Sequence, residues 1–295
     1  MHIEGRLVES DAPIPATFKP STAARTVHIA QAKGWGSLGL HELWEHRELL
    51  YFLVWRDVTV RYKQTFLGAA WAVVQHLSAM VVFSLFFGRL AKMPSEGIPY
   101  PIFAYAALVP WMWFANGLNQ VSQSILRNSN LITKVYFPRL VIPLAAALAG
   151  AVDFAVAFLV LLGMMVFYRM VPTANILWIP GLALLALGCS LGAGLWFSAL
   201  NVRYRDVPLF IPLLMQLWLF ATPVVYPSSL VPARWRLVHA INPMTGVIEG
   251  FRWALLGTHT HPGPQIIISV LMVLVLTTTG VFYFRRTERS FADII

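Results

Sequence analysis

The chain has 295 residues; 58% are apolar, only 12% are charged, and 22 Lys and Arg against 13 acids leave a formal charge of +9. Soluble domains run nearer half apolar and a quarter charged, so this is the composition of an integral membrane protein, and basic residues held at a cytoplasmic membrane face account for the charge better than nucleic acid does. The single cysteine, Cys189, excludes an intrachain disulfide, and the scattered histidines show no metal-ligand spacing.

Residues 1–38 mix Pro13, Pro15 and Pro20 with small and charged residues, without the apolar stretch of a signal peptide. They are expected to be a disordered cytoplasmic tail. Residues 39–63 read as an amphipathic helix. Leu43, Trp44, Leu50, Tyr51, Val54, Trp55 and Val58 recur near helical spacing, and Glu42, Glu45, His46 and Glu48 lie largely elsewhere. Such a helix lies in the membrane interface, where Trp and Tyr rings are favoured; a soluble helix packed on a partner is the plainer alternative.

A span needs about 20 apolar residues. Six runs in 64–286 approach that: 66–88, 102–125, 140–168, 176–200, 208–226 and 264–284. The third is longer than a bilayer requires, and polar residues and prolines interrupt the second and fifth. With the N-terminus inside, 16 of the 22 Lys and Arg fall in inside segments. That bias puts both termini, including the tail 287–295, in the cytoplasm. Backbone groups in lipid must be satisfied internally, so the predicted fold is an all-α membrane protein of six spans.

The outside segment 227–263 is too broken for a span and too oily for a solvated loop. Asn242-Pro243 reads as a helix start and Gly257 as its stop. Two short helices dipping into the outer leaflet are expected, with Glu249 and Arg252 placed to pair three residues apart.

Polar residues also occur within the runs. Asp153 has no obvious basic partner, and a helix–helix hydrogen bond is preferred to a proton or substrate contact. The second run carries Asn116, Asn119, Gln120 and Gln123; the first carries Gln75, His76 and Ser78; the fifth carries Gln216 and Thr222. These line a wet pathway or bond between helices, and spacing does not separate the two. Among the aromatics, Trp196, Phe197, Trp218 and Phe220 are candidates for a lining.

The segment NLITKVYFPRL, Asn130–Leu140, is basic and aromatic between two oily runs. With RDVTVRYKQTFLGAAWAVVQ from Arg56, LNVRYRDV from Leu200 and NPMTGVIEGFRWALLG from Asn242, it resembles the permease subunit of polysaccharide-export ABC transporters over residues 40–290. This group serves O-antigen, capsular polysaccharide and teichoic acid. His76 stands where many relatives have Pro after Gln75, which puts carry-over of pathway shape through the first span in doubt. The resemblance implies a homodimer in the bacterial inner membrane, two separate ATPase subunits carrying ATP and Mg, and a lipid-linked glycan as cargo. No Gly-Lys dipeptide occurs in the chain, so it lacks a P-loop of its own and no cofactor is expected on it.

The resemblance makes Asn130, Lys134, Val135, Tyr136, Phe137, Pro138 and Arg139 an ATPase-coupling segment, with Tyr136 and Phe137 as buried anchors and Lys134 and Arg139 on the rim. A plain interfacial turn is the alternative. Arg203, Arg205 and Asp206 form a second cytoplasmic loop that contacts the ATPase or only enforces topology. Arg56, Arg61 and Lys63, beside Asp57, mark the substrate portal, where guanidinium groups suit a pyrophosphate; binding of lipid headgroups is the alternative. Gln75, Ser78, Gln216, Trp218 and Phe220 are placed along the channel, and Glu249 and Arg252 on external gate helices. A related permease for a drug or small lipid is the competing reading. A proton-coupled carrier lacks its relay and repeat, and a membrane glycosyltransferase lacks clustered carboxylates.

Overall fold

The computed structural model describes residues 40–63, 70–135, 137–258, 263, 265–288 and 291. The expected tail 1–38, the segment 64–69 and Tyr136 lie outside the described residues. What is described is helical, with no strand among the described residues.

A short α1 (Leu40–Glu45) leads into α2 (Arg47–Lys63). α2 carries two different apolar faces. Leu49, Leu50, Leu53 and Val54 pack on the bundle; Tyr51, Phe52 and Trp55 point away from it and are exposed. An aromatic outer stripe is what an interface helix presents to headgroups.

The first run forms α3 (Ala70–Phe83), continued by a wider π-type turn over Ser84–Leu90. The second forms α4 (Tyr100–Arg127), the central post of the bundle, with nineteen of its 28 residues buried. A short α5 (Ser129–Lys134) follows. The third run is broken at Gly150 into α6 (Val141–Ala149) and α7 (Ala151–Phe167). A Cβ at Gly150 would come within 3.2 Å of Trp113 Nε1, so glycine admits the indole at the break. The remaining runs give α8 (Ile179–Arg203), α9 (Val207–Ala221) and, after a further helical segment, α12 (Gln265–Thr287).

Four helices among the described residues are long and apolar enough to cross a membrane: Val73–Leu90, Val141–Phe167, Ala174–Arg203 and Gln265–Thr287. The two runs that fall short are the interrupted ones. α4 has the length, but its polar stripe lowers its hydropathy; α9 is apolar but has only 15 residues.

Lipid tails are as apolar as leucine, so helices in a bilayer associate by close packing rather than by hiding oil from water. α8 and α12 do this through glycines. A Cβ on Gly280 would sit 2.4 Å from the Gly192 carbonyl oxygen, and one on Gly192 would hit the Thr277 backbone at 2.7 Å. The same seam carries a bond from Thr277 Oγ1 to the Gly188 carbonyl (2.9 Å).

The segment between α9 and α12 makes the two expected short helices, α10 (Arg236–Ile241) and α11 (Pro243–Leu256). Asn242 Oδ1 caps α11 by accepting from the Met244 N–H (3.1 Å), and Gly257 ends it in the left-handed region at φ 65°. The two helices have different surroundings. α10 leaves Leu237, Val238 and Ile241 exposed, whereas every residue of α11 except Trp253 is buried. α11 is therefore an inserted core element packed on α4, α8 and α12, not a helix lying against lipid.

Candidate functional site

The termini of α4, α8 and α12 meet α2 and α5 at one end of the bundle. Leu53, Ile125, Ile132, Phe137, Val202, Phe284 and Phe291 form one apolar cluster there. Arg127, Lys134, Arg139, Arg203, Arg205, Arg285 and Arg286 all lie at or near this end.

An open cleft of about 450 Å³ runs along α2 here, lined by Arg56, Asp57, Val60, Arg61, Gln120, Ser124, Arg127, Asn128 and Ala146. It adjoins an inner recess of about 10 Å³, room for roughly one water, lined among others by Arg61, His76, Trp113, Asn116, Gly150 and Asp153. Two of the expected portal residues, Arg56 and Arg61, thus meet in one cleft. Lys63 is exposed and does not line it.

Asp153 makes the helix–helix bond expected of it, but it also has the basic partner that spacing did not show. Arg61 Nη1 and the Tyr62 hydroxyl both donate to its carboxylate. Burial, and then this bond, push the Tyr62 hydroxyl above its ordinary range, so it remains a donor. The carboxylate lies in the first turn of α7, where the helix dipole favours an anion. One and a half turns earlier, Arg56 donates twice to Asp57 (3.0 and 2.7 Å) and once to Asn128 Oδ1 (2.9 Å). Asn128 occupies the cap position of α5 without capping it. Its side chain ties α5 to α2 instead.

The polar stripe on α4 resolves into a ladder. Gln123 donates to Asn119 (2.7 Å), and Arg127 donates to Gln120 (2.6 Å) and Gln123 (2.7 Å). The ladder ends in Arg127, which lines the cleft and which the sequence reading counts only toward topology. Its signal was the recurrence of 116, 120, 123 and 127 on one helical face.

The coupling segment is divided. Asn130, Lys134 and Val135 are exposed on and just after α5. Phe137, expected as an anchor for a partner, is instead buried in the chain's own cluster against Ile132, Leu140 and their neighbours. Arg139 donates to the Glu288 carbonyl oxygen and so braces the end of α12. Pro138 is half-buried between them, and Tyr136 is outside the described residues. Arg203, Arg205 and Asp206 are all exposed in the α8–α9 loop.

Of the channel candidates, Gln75, Ser78, Gln216 and Phe220 are exposed on α3 and α9. Trp218 differs. It is half-buried, packs edge-on against Phe114 at 5.0 Å, and its Nε1 donates to Asn242 (3.0 Å). It pins α9 to the start of α11.

Nor do Glu249 and Arg252 form an ion pair among the described residues. Arg252 Nε donates to the Phe103 carbonyl (3.2 Å), Nη1 to those of Pro223 (2.6 Å) and Tyr226 (3.3 Å), and Nη2 to that of Val224 (2.6 Å). Its guanidinium also lies 3.6 Å over the Phe103 ring. Four of the five guanidinium N–H groups are thus directed at carbonyls. Glu249 is left in an apolar setting, and burial pushes its carboxyl up to about 7 against the opposing pull of Arg252.

An all-helical bundle with membrane-length helices and a lateral basic cleft has the architecture of a membrane transport subunit. The chain belongs to the ABC-2 type transporter family, which matches residues 48–256. It is 31% identical over 263 residues to the O-antigen export system permease protein RfbA of Myxococcus xanthus, covering 87% of this chain and 98% of that one. A protein of the same name from Klebsiella pneumoniae is 29% identical, covering 84% of this chain and 95% of its own. The polysialic acid transport protein KpsM of Escherichia coli is 22% identical, covering 80% and 92% respectively.

Proposed function

We propose that this chain is the permease subunit of an ATP-driven exporter of a lipid-linked polysaccharide, in the manner of the O-antigen permeases it resembles. It works as a homodimer of six-span protomers in the inner membrane, with both termini cytoplasmic. Two separate ATPase subunits dock at the basic end, on the exposed face of α5 and on the Arg203–Asp206 loop. The glycan enters beside α2 with its pyrophosphate against Arg56 and Arg61, and Gln75, Ser78, Gln216 and Phe220 face the path between protomers.

The observation that carries this reading is the cleft. It places arginine and carboxamide groups at the flank of a bundle whose relatives are named for polysaccharide export, and charge-assisted contacts to guanidinium suit phosphate. The test is complementation in a strain deleted for this chain but retaining its ATPase. Double substitution Arg56→Glu and Arg61→Glu is expected to abolish surface polysaccharide and leave lipid-linked glycan inside the cell. Wild-type surface polysaccharide in that strain, or export of a drug or small lipid in its place, overturns the proposal.

A further inference from the structure

Three arginines line the cleft, and they are not equivalent. Arg56 is matched by Asp57 and Arg61 by Asp153. Arg127 has no carboxylate partner among the described residues. Neutral carboxamide oxygens of Gln120 and Gln123 orient its guanidinium without cancelling its charge. With two carboxylates against three guanidinium groups, the uncompensated positive charge sits at Arg127. The recess behind it holds a further unused donor. The indole of Trp113 is more than nine-tenths buried, and its Nε1–H has no acceptor among the described residues. A buried donor without a partner is uncommon enough to point to a missing acceptor.

The two matched arginines also hold α2 in place. Arg56 ties it to Asn128, and Arg61 with Tyr62 ties its last turn to Asp153. Arg61 therefore serves the cleft and the tie at once. We infer that Arg127 is the docking cation for a diphosphate-bearing lipid entering this cleft, and that the contact of Arg61 and Tyr62 with Asp153 is a latch which the diphosphate opens by taking Arg61 from Asp153. This deepens the export reading and rests on it.

The exchange is physically cheap. The Arg61–Asp153 pair is about a quarter exposed on each side, so solvent screens it and its strength is modest. A diphosphate carries more charge than one carboxylate and accepts from guanidinium in the same bidentate manner. When Arg61 leaves, Asp153 is not orphaned: the Tyr62 hydroxyl still donates to it, and the Trp113 N–H lines the same recess. Only an uncompensated buried acceptor would carry the full desolvation penalty. Opening the latch frees the end of α2, the wall of the cleft through which a bulky glycan has to pass.

The test uses the full permease–ATPase complex in nanodiscs, reading hydrogen–deuterium exchange in the α2 peptide Arg47–Lys63. Geranylgeranyl diphosphate is the probe in phosphatidylcholine discs; phosphatidylglycerol discs without it, and inorganic pyrophosphate, are the other arms. The probe is expected to raise α2 exchange in the wild type. Asp153→Asn is expected to show that raised exchange with no probe. Arg127→Gln is expected to need about tenfold more probe or beyond, the effect of losing one charged contact, while Arg127→Lys recovers part of the shift. Should Asp153→Asn fail to give intact complex, Tyr62→Phe weakens the latch from the other side and must also raise basal exchange. Basal exchange at the wild-type level in both latch variants sinks the inference. So does an Arg127→Gln response at the wild-type probe concentration. Phosphatidylglycerol alone reaching the probe's plateau also sinks it, since bulk headgroups are then the ligand; pyrophosphate matching the probe removes the lipid from the claim and overturns it as stated. A latch that fails leaves the exporter reading standing, and a working latch in a strain that exports no glycan refutes that reading alone.

Discussion

The two ends of α4 each meet an arginine, and the arginines have opposite lives. At the start of the helix, Arg252 is buried among carbonyls of Phe103, Pro223, Val224 and Tyr226. At its end, Arg127 is exposed and rests on two side-chain carboxamides. The first turns the chain after α9, which has left helical geometry, into a stable feature by satisfying its bare carbonyls; Tyr100 assists by donating to Val225 (2.8 Å). The second keeps its charge for something else. An arginine saturated by carbonyls is architecture, whereas one that is oriented but uncompensated remains available to a ligand.

The largest effect is expected at Arg252. Arg252→Ala strips partners from four carbonyls in a dry site, and a loss of about 3–5 kcal/mol is expected. Arg252→Lys should recover little, because an ammonium cannot match the planar fork. Fluorescence-detected size exclusion after heating reads this as collapse of the monodisperse peak, and Arg127→Ala in the same assay should retain it.

Phe137 tests the same distinction within the coupling segment. Phe137→Ala empties a packed site and is expected to cost about 3–5 kcal/mol. Val135→Ala, at an exposed position, should shift stability by less than about 0.5 kcal/mol. A wild-type melting temperature for Phe137→Ala, together with loss of the ATPase, would return Phe137 to the role of docking anchor.

These contrasts mark what a sequence can carry. The start of α11 at Asn242-Pro243 and its stop at Gly257 were legible because capping is local chemistry between residues a few positions apart. The apolar runs were legible because a bilayer imposes a length. Arg56 and Arg61 stood out as guanidinium groups beside a span. Asp153 looked solitary because its partner lies 92 positions away, and no spacing rule reaches that far. Phe137 looked like a handle because an aromatic beside a proline gives no indication of which way it faces. The pairing expected between Glu249 and Arg252 obeyed helical spacing but lost to carbonyls that only the folded chain assembles. Arg127 lay between these cases: the stripe leading to it was visible, but the ladder and the cleft were not.

Glu249 sharpens the picture through pH. Its carboxyl is raised from 4.5 to about 7, so the folded protein holds that proton more tightly than the unfolded chain does. Stability from this group is fully present below pH 4.5 and is lost as pH rises through about 7. Stability in detergent should be greater at pH 5 than at pH 8 by at most about 3 kcal/mol, read as a higher melting temperature at pH 5. Glu249→Gln should flatten that slope. An unchanged slope would mean that Glu249 is ionised in the fold.

The smallest effect belongs to the basic end's outer surface. Lys134 is exposed in the last turn of α5, so Lys134→Glu should leave stability within about 0.5 kcal/mol. Rim charges act chiefly on encounter rate and salt dependence. Reversal is therefore expected to slow association with the ATPase several-fold at low salt and to converge on the wild type at high salt. Paired reversal at Arg203 and Arg205 should add to it, since the α8–α9 loop lies at the same end of the bundle as α5. If neither reversal changes the association rate at low salt, the partner does not approach this face, and its cations serve the membrane surface instead.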